Sequence, residues 1–283
     1  MIGAAMPKRL ATYAGFVKLE HSVFSLPLVF AGAWLALRQA PEVGLLGLIL
    51  AAAVSGRVIG MALNRIIDAE IDARNPRTRN RELPRGAISR AEAWLVLALA
   101  GLFYIASAWA IAPICLWLSP IPVLLFTLYP YLKRWTMLAH LGLGLAWSLG
   151  PVGGWLAASP WLESLPGVKW LWGFSLCWVT GFDIIYATLD EQFDRQAGLR
   201  SLPARLGRRP ALRIAAVLHA LAFAALVQLW AVQLRTPAGV AWLAVIAGLL
   251  IWEHAVAERR PEFAFFQLNG LVGFLVFALI LSG

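Results

Sequence analysis

The chain has 283 residues, of which 60% are hydrophobic and only 14% charged, with a mean hydropathy of +0.73. A soluble domain carries nearer a quarter charged residues, so a water-soluble fold is excluded. The long continuous apolar runs also exclude a membrane β-barrel, whose strands alternate over segments of about ten residues. The net charge of +9 would suit nucleic acid, but basic cytoplasmic loops are the simpler source in a membrane protein. No nucleic-acid partner is expected. Cys115 and Cys177 lie in apolar runs and show neither a disulfide framework nor zinc spacing.

In chain order, a basic leader with Lys8, Arg9 and Lys18 precedes the first apolar run, Ser22–Leu37. No small-residue cleavage site follows cleanly, so this run is read as a first transmembrane helix and not a cleaved signal. Glu20 and His21 are expected as interfacial anchors at its mouth. Eight further spans are expected at 44–71, 92–111, 113–131, 138–158, 168–189, 210–231, 238–257 and 263–282, with Pro113 breaking the third from the fourth. The loops after spans two, four, six and eight are basic, and the intervening loops hold only Arg38, Lys169 and Arg235. The positive-inside rule puts the N-terminus and the basic loops in the cytoplasm, and nine spans preserve that alternation. The expected architecture is an all-α polytopic membrane protein, a bundle of nine transmembrane helices around a central cavity. It forms one domain over 1–283, built from two four-helix pseudo-repeats plus a ninth helix. With no obvious transit peptide, the cell membrane is the expected location.

Two stretches carry chemistry. In the first, Asn64, Asp68 and Asp72 are spaced i, i+4, i+8, which stacks them on one face of a helix. Arg74, Arg77, Arg79, Arg81 and Arg85 follow. In the second, Asp183, Tyr186, Asp190 and Asp194 fit one helical stripe and again end at a basic, proline-containing loop. The repeat distance is 122 residues, from Asp72 to Asp194. These two stretches hold every aspartate of the chain. Aspartate in a span is costly unless paired and usually marks function. A helix end emerging into a solvated loop would account for the arginines alone. Two acidic ladders ending on the same side, each beside basic residues, suit Mg²⁺ and a diphosphate, because Mg²⁺ takes oxygen ligands and keeps phosphates and waters in its shell. An ion pump or channel would more often place its carboxylates near the bilayer middle, so a transporter is the weaker reading.

Asn64-x-x-x-Asp68-x-x-x-Asp72 and Asp190-x-x-x-Asp194 resemble the paired aspartate-rich motifs of the UbiA superfamily of intramembrane prenyltransferases. The segments D-A-R-N-P-R-T-R-N-R-E-L-P-R-G and Y-A-T-L-D-E-Q-F-D-R-Q-A-G-L-R-S-L-P-A-R-L-G are most similar to its 4-hydroxybenzoate polyprenyltransferase branch. The resemblance covers nearly the whole chain. It implies Mg²⁺-dependent transfer of a prenyl group from polyprenyl diphosphate to an aromatic acceptor. By motif position, Asn64, Asp68 and Asp72 would form one metal and diphosphate site, and Asp190 and Asp194 the other. Leu189 stands where the family pattern often has glutamine, and no role is carried onto it.

Other residues extend the site. Arg77 is a plausible diphosphate clamp, and Tyr129, Lys133 and Arg134, closing span four, reach toward the same phosphates. Arg57, seven residues before Asn64, shares its face. It either holds the carboxylate of an aromatic acid deeper in the cavity or pairs with an aspartate of span six such as Asp183. Tyr186 is expected beside the same acceptor. Asp183 and Asp190 are the candidate catalytic groups, placed to stabilise an allylic cation, orient the phenol or take the ring proton. Arg65 is expected to point elsewhere, and His140, His219 and His254 are read as satisfied or interfacial. A naphthoate-type ring and a lipid acceptor are the nearest rival acceptors.

Overall fold

The computed structural model describes residues 8–18 and 22–283. Glu20 and His21, expected as anchors, lie outside the described residues. The described elements are all helical: α1 (Lys8–Phe16), α2 (Ser22–Leu37), α3 (Val43–Ile67), α4 (Ala69–Arg74), α5 (Arg90–Ile111), α6 (Pro113–Leu118), α7 (Pro120–Trp135), α8 (Ala139–Ala158), α9 (Lys169–Ala187), α10 (Glu191–Gln196), α11 (Leu202–Leu206), α12 (Arg208–Leu229), α13 (Pro237–Ala257), α14 (Pro261–Phe263) and α15 (Asn269–Leu281). Among the described residues, seven helical stretches are long and apolar enough to cross a membrane: Val43–Ile67, Arg90–Ile111, Pro113–Trp135, Ala139–Ala158, Arg208–Leu234, Pro237–Ala257 and Pro261–Leu281. The first and sixth expected spans, α2 and α9, are not among these seven.

Local chemistry sets the ends of these helices. Ser89 and Glu92 form a reciprocal cap at the start of α5: the Glu92 N–H donates to Ser89 Oγ at 3.2 Å, and the Ser89 N–H to Glu92 Oε2 at 2.8 Å. Proline opens α6, α7 and α13 within their first turn, where its missing N–H costs nothing. The expected span 44–71 is not one helix. It stops at Ile67, turns at Asp68 and resumes as α4. Span six likewise ends at Ala187 and passes through a 3₁₀ turn, Thr188–Asp190, into α10.

Helices α3, α7, α8 and α9 pack side by side, and α15 and α2 close back toward α3. Glycine makes the tightest contact possible. A Cβ on Gly32 of α2 would fall 2.0 Å from the Pro151 carbonyl oxygen, and one on Gly154 of α8 would fall 1.9 Å from that of Val29. Close backbone approach of this kind gives apolar helices the van der Waals contact that lipid tails do not. The largest core cluster surrounds Phe174, Trp178 and Phe182 of α9, where the first two rings stack and Phe182 meets Trp178 edge to face. His219 and His254 are satisfied within it and at its edge: His219 Nε2 lies 3.1 Å from the Trp178 carbonyl, and His254 Nε2 lies 3.0 Å from His219 Nδ1. Leu95, Leu99, Leu102, Phe103 and Trp109 of α5 point outward and exposed, as a bilayer-facing surface requires.

Candidate active site

Each acidic motif sits at a broken helix. Asp68 has φ −94° and ψ 4°, and Asp190 has φ −104° and ψ 4°. In both, the long helix stops, the first aspartate occupies the corner, and the second, Asp72 or Asp194, lies in the short helix that follows. Gly198, at φ +72°, then lets the chain fold back so that the Leu199 N–H reaches the Asp194 carbonyl at 2.8 Å. That return carries Arg200 to α7, where its N–H donates to the Lys133 carbonyl at 2.7 Å.

The two corners face one cavity of about 260 Å³. Its walls include Arg57, Asn64, Asp68, Asp72, Arg77, Tyr129, Lys133, Asp183, Tyr186, Asp190 and Asp194. Arg134, grouped with Lys133 in the sequence, does not line it. Its guanidinium donates to the Ile67 carbonyl at 2.9 Å and lies 3.7 Å from Asp68 Oδ1. Arg74 also lies outside this cavity.

The acids are matched with cations from distant segments. Asp68, with its side chain 3% exposed, accepts from Lys133 Nζ at 2.5 Å and from Asn64 Nδ2 at 3.3 Å. Asp72 accepts from Arg81 Nη1 on both oxygens at 2.8 Å, with Arg65 Nη1 at 3.9 Å. Arg77 crosses to the other motif. Its Nε donates to Asp190 Oδ1 at 2.8 Å, its Nη2 donates to Asp190 Oδ2, and its Nη1 donates to the Tyr186 hydroxyl at 2.7 Å. Asn75 adds a 2.7 Å bond to Asp190 Oδ1. Burial raises the Asp190 carboxyl, but the hydrogen bonds and charge of Arg77 and the bond from Asn75 outweigh it and hold the group below the usual carboxylate range. Asp194 is pushed the other way by burial.

Deeper in the cavity, Arg57 lies over the Trp147 ring, 4.6 Å from its centroid. Asp183 Oδ2 lies 2.6 Å from His140 Nδ1, and His140 Nε2 lies 3.3 Å from the Leu202 backbone nitrogen. A backbone N–H can only donate. Nε2 is therefore the accepting nitrogen, and the ring carries its proton on Nδ1 and donates it to Asp183. His140 is thus satisfied, as expected, but inside the site, a position the sequence reading did not assign it. Arg65 also differs from expectation: it points into the cavity and is 2% exposed. Its i, i+7 spacing to Asp72 was the available signal. Asn75 gave none, since its partner is 115 residues away.

The donor set fits a hard divalent cation. Asp68 Oδ1 is buried and accepts no hydrogen bond, and five aspartates face one cavity. Among the described residues no three His, Cys, Asp or Glu side chains converge as a ready cage. Mg²⁺ seldom uses such a cage, and instead takes one or two carboxylates and completes its shell with phosphate and water. A second cavity of about 240 Å³, walled almost wholly by apolar groups, shares Arg57, Phe126 and Trp147 with the first.

Residues 25–270 match the model of the UbiA prenyltransferase family. A 4-hydroxybenzoate octaprenyltransferase of Xanthomonas oryzae is 32% identical, over 97% of this chain and 93% of its own length. The solved structure of a UbiA homolog from Aeropyrum pernix superposes with a TM-score of 0.86 at 36% identity, covering 92% of this chain and 97% of that one. A UbiA homolog from Archaeoglobus fulgidus, solved bound to GPP and Mg²⁺, shares the fold with a TM-score of 0.72 at 18% identity, over 96% of this chain and all of that one.

Proposed function

This chain belongs to the UbiA prenyltransferase family, and from that premise we propose that it transfers a polyprenyl group from its diphosphate to an aromatic acid, 4-hydroxybenzoate, in a Mg²⁺-dependent reaction of quinone biosynthesis. The observation that carries this reading is the pair of acidic corners across one cavity, with an apolar cavity continuing from it past Arg57 and Trp147. The name of the Xanthomonas oryzae relative supports the acceptor, and the GPP and Mg²⁺ in the Archaeoglobus fulgidus homolog support the donor and the metal. In this reading all nine helical spans cross the cell membrane, α2 and α9 included, with the N-terminus and the acidic corners on the cytoplasmic side.

Asp68, Asp72, Asp190 and Asp194, with Asn64, would hold Mg²⁺, which supplies charge neutralisation for the departing diphosphate. Arg77, Lys133 and Tyr129 bind the phosphate oxygens. Lys133 and Arg77 are each paired with an aspartate, so they exchange one anion for another as the diphosphate enters. The isoprenoid lies in the apolar cavity. Arg57 holds the acceptor carboxylate by a charge-assisted pair, which turns the phenol toward the allylic carbon, and Tyr186 borders the same ring. The allylic C–O bond breaks, its electrons leave with the diphosphate, and a ring carbon forms the new C–C bond. Asp183, with one oxygen engaged by the His140 N–H, turns the other toward the acceptor, steadies the cation and takes the ring proton. Water exclusion protects the cation from quenching.

The test offers the purified protein farnesyl diphosphate and Mg²⁺ with 4-hydroxybenzoate, 1,4-dihydroxynaphthoate or glycerol phosphate in separate reactions, with product masses read directly. Prenylated 4-hydroxybenzoate as the main product supports the reading. A prenylated naphthoate or glycerol ether would reassign the acceptor. Prenyl diphosphate flux across sealed vesicles with no product in any arm would replace the enzyme reading with a transporter.

A further inference from the structure

Arg134 and Arg74, singled out by the sequence and left outside the cavity, line a second groove. It has a volume of about 480 Å³ and shares only Ile71 with the walls of the cavity. Arg74, Arg90 and Arg134 meet there with Ile66, Ile67 and Trp94. The groove lies where α3 and α7 end and α5 begins, at the same end of the bundle as the basic loops. Glu70 Oε1, 3.6 Å from Arg90 Nη2, offsets one of the three positive charges, and Asp68, which Arg134 approaches at 3.7 Å, is already paired with Lys133, which leaves the groove net positive. Arg134 lies over the Tyr131 ring, 4.9 Å from its centroid. Along α5 beyond the groove, the exposed Leu95, Leu99 and Leu102 continue as an apolar surface.

A positive end above an apolar wall selects an amphipathic anion. A small free phosphate gains nothing from Ile66, Ile67 and Trp94. An acyl chain beside α5 with a phosphodiester among the arginines satisfies both halves, as basic pockets between membrane helices do for anionic headgroups. We propose that this groove binds the headgroup of an anionic phospholipid of the surrounding bilayer. The site is coupled to the cavity by one residue. Arg134 Nη2 lies 3.7 Å from Asp68 Oδ1 and donates to the Ile67 carbonyl, so a phosphate that draws Arg134 outward removes a positive charge from beside that unbonded oxygen and favours a cation there. Occupancy therefore raises prenyl transfer.

The test uses the full chain in nanodiscs of phosphatidylcholine with or without phosphatidylglycerol, and compares it with the Arg74→Gln/Arg90→Gln double variant. Retained lipid is read by native mass spectrometry and prenyl transfer by product formation. In neutral discs the two proteins turn over alike, which confirms that the variant is folded. With phosphatidylglycerol the unmodified chain keeps one anionic lipid and gains activity, and the variant retains it about 30-fold more weakly and does not respond. Equal retention by both proteins, or activation that persists in the variant, would overturn the proposal. A matching response to inorganic phosphate in neutral discs would also overturn it, because the ligand would then be a free anion. Lipid retention is read without turnover, so a failed acceptor assignment would not be confused with a failed lipid site.

Discussion

Asp68 and Asp190 occupy the same bend in the two halves of the chain, within about ten degrees in φ and with the same ψ, yet they are compensated differently. Asp68 is almost sealed from solvent and held by Lys133, a residue fixed at the end of a transmembrane helix. Asp190 is 17% exposed in its side chain and is held by Arg77, from the loop that follows the first motif. The loops cross: the first motif's loop clamps the second acid, and the second motif's loop binds α7 and α8 through Arg200 and Leu202. A repeated backbone therefore frames a site whose halves respond differently. One corner is tied to the end of a packed helix, and the other to a side chain from the loop of the opposite motif.

The sharpest way to break this comparison is to remove each acid. Asp68→Ala and Asp190→Ala are each expected to lower turnover by about 10²–10³-fold or more, the scale of losing a preorganised electrostatic group. They should separate in stability. Asp68 is 3% exposed and serves both Lys133 and Arg134, whereas Asp190 is 17% exposed, so Asp68→Ala is expected to cost more than Asp190→Ala. Thermal unfolding in detergent that ranks the two variants in the opposite order would contradict the assigned difference. Next in size is the crossing arginine. Arg77→Ala should raise the donor KM by about a hundredfold. Arg77→Lys should fall between, because an ammonium keeps the charge but cannot span Asp190 and Tyr186 together. A donor titration of the three proteins measures this directly.

Smaller effects sharpen the acceptor side. Arg57→Ala should raise the acceptor KM by about 10–100-fold, the worth of a charge-assisted hydrogen bond, with the donor KM nearly unchanged. A defect confined to the donor would move Arg57 to the diphosphate. Finest of all is His140. Asparagine keeps an N–H near the position of Nδ1 and glutamine places its amide near Nε2, so His140→Asn should retain kcat within a few-fold while His140→Gln loses about tenfold, one hydrogen bond's worth. Equal losses in the two would reduce His140 to a packing residue.

Much of this arrangement was legible in the sequence. Apolar runs bounded by proline and arginine located seven of the nine expected spans among the described residues, because membrane helices must satisfy their own backbone and expose apolar side chains. The i, i+4, i+8 ladder of the first stretch and the i, i+7, i+11 ladder of the second named the aspartates that line the cavity, because the chain has no others. The break at Asp68 was not legible: the same spacing fits a continuous helix, and only the turn into the loop requires the helix to stop. Lys133 was legible from its place after Tyr129, but Arg134 beside it was not separable, since one residue of helical rotation sends a side chain to another face. His140 and Asn75 were hidden because their meaning lies in partners 43 and 115 residues away.

The central claim is that both acidic corners act on one Mg²⁺–diphosphate ligand, and the most direct measurement is a double-mutant cycle on donor binding. A non-hydrolysable farnesyl diphosphate analogue would be titrated into the unmodified chain, Asp72→Ala, Asp194→Ala and the double variant, each with Mg²⁺ and with EDTA. The account predicts that Mg²⁺ tightens binding to the unmodified chain, that either single substitution removes most of that gain, and that the double variant loses little more than either alone. Additive losses, or binding indifferent to Mg²⁺, would contradict it.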